Sequence, residues 1–458
     1  MILGGISHTA LNRENIMFVV FVLLTITLTV DISLAKVYGI GLNLYVSSIS
    51  VKIIVFIILT VIGLFGQYLI VRYVKNKTSN SKSSIALHLQ VLHKVFIIFQ
   101  YALVGILVAV ILQIVIGNYY STVLLIAVTS FSYALALIML GILALRFFSW
   151  FKLFRNYVTL SYGLTSATLV INAIITLIYI DTLLLAKPLT LGVYAGGSAY
   201  SVSTAQMLYS GYVVTTIISF ILTWIATTIL LHHYSHKFGK AKYWIIVSAP
   251  LIYFLSQFLP LFPNLYDTLL NEDPVFYSII LTLIFTWSKI AGGIFFGIAF
   301  WLISKNLPHG NIIKDYMNMC AYGFIFLFIS NQAIVLVIGP YPPFGLITTA
   351  YIGLSSYLIL VGVYSSVLSV SQDTRLRQSI RKLAKSESKL LDSISTAQME
   401  QEIQSRVIKI TRENQDIMSN ETGVQPSLTD EDIKQYLHEV LIEINKTKKT
   451  TNHSHHNE

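Results

Sequence analysis

The chain has 458 residues, 55% of them apolar and only 11% charged, with a mean hydropathy of +0.70. So little polar surface excludes a soluble multidomain enzyme. The single cysteine, Cys320, excludes a disulfide framework and a cysteine-based zinc or iron–sulfur centre.

Apolar runs of about 20 residues are what a helix needs to cross a hydrocarbon core of roughly 30 Å. Ten are predicted, over residues 16–34, 51–73, 95–116, 122–145, 157–180, 213–231, 243–262, 275–303, 316–338 and 346–370. Lipid cannot satisfy backbone polar groups, so the runs are read as helices and the fold class as an all-α polytopic bundle. The first run follows Arg13 and Glu14 and is not followed by a small-residue cleavage site, so it reads as a retained span.

With the N-terminus placed in the cytoplasm, the inner segments and the tail hold 27 of the 31 Lys and Arg. The outer segments hold Lys36, Lys52 and Lys187, and Lys289 lies within a span. That asymmetry predicts a cell-membrane protein with both termini inside. Trp150, Trp244 and Trp301 fall at inner span ends, where an indole favours the lipid–water boundary. The basic surplus belongs to the membrane part. Residues 1–370 carry 18 Lys and Arg against 7 Asp and Glu, whereas 371–458 carry 13 against 14. The partner it implies is a bilayer with anionic head groups, not nucleic acid.

The connection from Asp181 to Tyr212 contains GVYAGGSAYSVST (192–204), whose Gly, Ser and Tyr content suits a lid. At the inner end of the sixth span, His232, His233 and His236 have a spacing that permits a weak metal site, although no carboxylate accompanies them. Pro250 is expected to kink the seventh span.

The eighth run holds FTWSKIAGGIFFG (285–297), with Lys289 the one formally charged side chain near the middle of any predicted span. An ammonium there costs at least about 2.5 kcal/mol, so it should face protein or water. Gly292, Gly293 and Gly297 provide a face that another helix can approach closely. Lys289 with Trp287, Ser288, Gln257, Asn331, Gln332 and Asn172 forms the candidate ligand site at the membrane midplane. The ligand expected is an anionic or amphiphilic small molecule. No catalytic set and no cofactor is expected, because no nucleophile, base and metal ligands converge.

From residue 371 the pattern becomes a charged, coiled-coil-like juxtamembrane helix to 419, with Arg375, Arg377, Arg381, Lys382 and Lys385 facing anionic lipid. Residues 427–447 read as a capped amphipathic helix, and 448–458 as a disordered end. The tail (371–447) is expected to bind a second copy or a cytoplasmic protein.

Matches between successive spans, such as DISLAK (31–36) with DTLLLAK (181–187), suggest a parallel repeat of four, four and two spans. The leading reading is a membrane sensor or scaffold module with a cytoplasmic interaction tail. The alternative is a transporter or flippase-like protein whose substrate contacts Lys289.

Overall fold

The computed structural model describes residues 3–39, 48–78, 86–192, 203–232, 235, 239–258, 276, 279–280, 282–307, 312–332, 334–338, 341–372 and 389–422. Its helices are α1 (Leu3–Gly39), α2 (Ile49–Thr78), α3 (Ala86–Gly117), α4 (Thr122–Leu153), α5 (Tyr157–Leu185), α6 (Ser203–Leu231) and α7 (Lys240–Ser256). A π-helical turn, Thr282–Trp287, leads into α8 (Ser288–Asn306). Then come α9 (Ile312–Ser330), the single turn α10 (Val335–Ile338), α11 (Leu346–Gln372) and the tail helix α12 (Lys389–Thr422).

Among the described residues nine helices are long and apolar enough to cross a membrane. The chain is therefore an all-α, multi-pass membrane protein. The seventh predicted span appears as α7, which is 17 residues long and continues through Pro250; residues 259–262 lie outside the described residues. The eighth predicted span is described over Leu283–Lys305; residues 275, 277, 278 and 281 of it lie outside the described residues.

Successive helices alternate in direction, which gives the bundle two ends. At one end, strands β1 (Tyr119–Ser121) and β2 (Thr190–Gly192) form an antiparallel ribbon that pairs Tyr120 with Leu191. Three-residue strands lie between apolar spans, where periodicity has no room to show them. Asn118, with φ of 54°, makes the turn into β1. The Gln113 side-chain oxygen accepts from Ser121 N at 2.9 Å. At the opposite, tail end, Lys77 pairs with Asp315 at 2.5 Å and fastens α2 to α9.

The core is built around α11. Its apolar window is wholly buried by protein, where it packs against α9, α4, α2 and α12. Small residues make this close packing possible: a side chain at Gly362 would meet the Tyr316 carbonyl of α9. By contrast, α1, α2 and α3 turn exposed Ile, Val, Leu and Phe outward, as lipid-facing helices do.

The start of α11 is capped by another helix. The fully buried Asp31 carboxylate of α1 accepts from Gly345 N at 2.9 Å, Thr348 N at 3.1 Å and Thr348 Oγ1 at 2.7 Å. These first amides have no partner within their own helix, and a carboxylate there is favoured by the helix dipole. Gly345 has φ of +88°, which a residue with a side chain rarely adopts.

The tail is not a detached appendage. Leu390, Leu391, Ile394 and Ala397 of α12 are buried against α11, α4 and α5. Trp150 Nε1 donates to the Gln398 side-chain oxygen at 3.0 Å. This overturns the boundary role expected of Trp150, which is fully buried beneath α12, whereas Trp244 and Trp301 are exposed. A tail docked on the bundle removes that indole from lipid. Residues 373–388, including Arg375 to Lys385, and residues 427–447 and 448–458 lie outside the described residues.

Candidate ligand cavity

Lys289 opens into a cavity of about 260 Å³. Phe285, in the π-helical turn Thr282–Trp287, and Lys289 are four residues apart and share the same wall; such turns recur at functional sites. Lys289 is buried, and its Nζ donates to the Tyr212 hydroxyl of α6 at 3.1 Å. It also lies 5.3 Å from the centre of the Tyr212 ring, a cation–π contact.

A second lysine shares the space. Lys36, near the end of α1, also lines the cavity, with its ammonium 5.9 Å from the centre of the Phe285 ring. The site therefore holds two lysines where the sequence pointed to one. No carboxylate lines it, and neither lysine forms a salt bridge among the described residues. Lys36 lies three residues before the end of α1 and Tyr209 is the seventh residue of α6, which places the cavity toward the ribbon end.

The expected site residues separate into three groups. Gln257 and Gln332 line the cavity. Gln257 Nε2 is held by the Phe254 carbonyl at 2.8 Å, whereas the buried Gln332 Nε2 has no partner among the described residues and is a donor available to a ligand. Asn172 and Asn331 stand behind the wall. Asn172 Nδ2 donates to Thr215 and Thr216 at 3.1 and 3.0 Å, and Asn331 Nδ2 donates to Asn172 Oδ1 at 2.8 Å. The chain extends to the Tyr133 hydroxyl, 3.3 Å from Asn331 Oδ1. It positions Thr216, which does line the cavity, by tying α4, α5, α6 and α9 together.

Ser288 and Trp287 form the third group. Ser288 is buried and Trp287 is exposed, and neither lines the cavity. On a helix, adjacent residues point to different faces, so only Lys289 of the three turns inward. The lining residues not identified from sequence are Lys36, Tyr209, Tyr212, Val213, Thr216, Phe258, Phe285 and Ile334. Lys36 carried a weak signal: an α1 that continues through DISLAK places it on helix, not loop.

Toward the tail end from the cavity lies an aromatic cluster. One or two turns toward the tail end from four wall residues stands a phenylalanine: Thr216 leads to Phe220 and Lys289 to Phe296 within their helices, and Gln257 and Gln332, just past the ends of α7 and α9, lead back to Phe254 and Phe328. Phe220 stacks on Phe254 with centroids 3.8 Å apart and meets Phe296 and Phe328 edge-on at 5.2 and 5.7 Å. Gly292 leaves room for the Phe220 ring. On the ribbon side, Lys187 donates to the Val337 carbonyl of α10 and pins the connection there; burial lowers its pKa from the usual lysine range.

His232 is exposed and sets its ring edge-on to Tyr243 at 6.0 Å, while His233 and His236 lie outside the described residues. Among the described residues no three His, Cys, Asp or Glu gather as a metal site. The sequence matches no family model, curated protein or solved structure.

Proposed function

We propose that the protein captures a small anionic amphiphile in the cavity near its ribbon end and handles it as a transporter or flippase-like protein. The observation that carries this reading is the pair Lys36 and Lys289 in one largely apolar cavity that, among the described residues, no carboxylate lines. Buried cations without a counter-charge are costly, and a ligand anion would supply that charge. Tyr209, Val213, Phe258 and Ile334 offer apolar surface to the rest of the molecule. The volume is small for a drug-sized ligand, so it suits an acidic head group with a short chain.

The orientation that accompanies this reading has ten spans in a four, four and two repeat, with both termini in the cytoplasm of a cell-membrane protein. The role is non-enzymatic. A second reading, a sensor or scaffold, is favoured by one observation. Helix α12 is seated on α4, α5 and α11 through Gln398, Ser393 and buried apolar residues, so a change in the bundle would reach the tail.

The test is native mass spectrometry of the full chain in a neutral detergent with decanoate or decyl phosphate added. One bound anion per chain, lost in Lys289→Met and in Lys36→Met, is the expected result. A wild-type protein that retains neither, or variants that retain them unchanged, would remove the proposal. A preference between the two probes assigns the head group.

A further inference from the structure

The half of α12 beyond its docked turns carries an apolar stripe that the bundle does not cover. Ile403, Ile410 and Ile417 are 38%, 56% and 55% exposed. Their spacing is seven residues twice over. A seven-residue repeat drifts only about 20° per heptad on a straight α-helix, so the three share one face with the spacing of a coiled-coil seam. With these three isoleucines as one core position of the heptad, the other is filled by Val407 and Asn414.

We propose that this segment of α12 pairs with the same segment of a second copy as a parallel coiled coil. The occupant follows from three features. First, an asparagine at a core position is satisfied when it meets its own counterpart in register, which favours identical parallel chains. Second, residues 402–416 hold Glu402, Glu413 and Asp416 against Arg406, Lys409 and Arg412, so two copies meet without net repulsion. Third, two copies inserted in one membrane the same way present their tails on the same side and in the same direction, the arrangement a parallel pair requires. The seam from Ile403 to Ile417 is about 21 Å long at 1.5 Å per residue. So short a coil is weak alone, and confinement of both copies to one bilayer raises their effective concentration.

Cysteine cross-linking of the full chain in native membranes tests this, because the one native cysteine, Cys320, is fully buried. Under mild oxidation Ile410→Cys should give a disulfide-linked dimer, since identical core residues face each other in a parallel pair. Ser405→Cys, on the opposite side of the helix, should give several-fold less. Glu substituted at Ile403 in the Ile410→Cys chain should abolish the link while leaving the protein's thermal transition unchanged. Equal cross-linking at 405 and 410 would overturn the proposal, as would a monomer at both. A link that survives Ile403→Glu would do the same, because the seam would not be holding the pair.

Discussion

An ammonium group in an apolar cavity gives up water that only a hydrogen-bond acceptor or an anion can replace. Among the described residues Lys289 has the Tyr212 hydroxyl, a neutral acceptor, and Lys36 has the face of Phe285. Charge-assisted hydrogen bonds contribute about 1.5–3 kcal/mol each. Lys289→Met and Lys36→Met should therefore each weaken decanoate binding by roughly tenfold or more in calorimetric titration. Because both cations would act on one head group, the double variant should lose less than the sum of the two single losses. Asp31 gives a contrasting case, a buried carboxylate with a structural role. Asp31→Ala leaves the amides of Gly345 and Thr348 without their acceptor, at a cost of roughly 1–3 kcal/mol for each unsatisfied group. A melting temperature lower by several degrees in detergent, with Asp31→Asn intermediate because its amide oxygen still accepts, is the expected outcome.

Among the elements, closeness of helix approach decides what a glycine is worth. A side chain at Gly362 would meet the backbone of Tyr316 and Cys320, and one at Gly297 the Ala321 carbonyl, whereas one at Gly105 would meet nothing. Gly362→Ala should destabilise by about 1–3 kcal/mol through overpacking. Gly105→Ala should stabilise by roughly 0.5–1 kcal/mol through helix propensity alone. Thermal unfolding of the two variants side by side reads the opposite signs. Of the glycines of α8 read in the sequence as one face, Gly293 and Gly297 do face α9, whereas Gly292 faces Phe220 of α6; the spans were legible because a long apolar run in lipid has one backbone solution. Lys289 was legible as a cation inside such a run. Lys36 was not, because its role depends on α1 and the π-helical turn meeting in space, information that no window of sequence contains. For the same reason Trp150 read as an interfacial residue until the tail was seen to cover it, and Gln332 could not be told from Asn331 beside it, although one lines the cavity and the other bonds behind it.

For the molecule as a whole, the question is which side reaches the cavity. The four clustered phenylalanines belong to α6, α7, α8 and α9; they do not line the cavity, and their position on its tail-end side makes them the barrier expected there. A carrier needs such a seal to open when the opposite one closes. Thr216→Cys would place a small thiol on the cavity wall, and buried Cys320 would add little background. A membrane-impermeant maleimide should label it from the ribbon side of sealed vesicles and not from the tail side. Adding Phe220→Leu and Phe254→Leu thins the stacked pair, and tail-side labelling should then rise while ribbon-side labelling stays constant. The substitutions cost stability, so a matched elution profile and thermal transition establish that the labelled protein is folded. Labelling from the tail side in the parent Thr216→Cys protein would show that the aromatic cluster is no barrier. The cavity would then be a passage open at both ends, without the one-sided access a carrier requires.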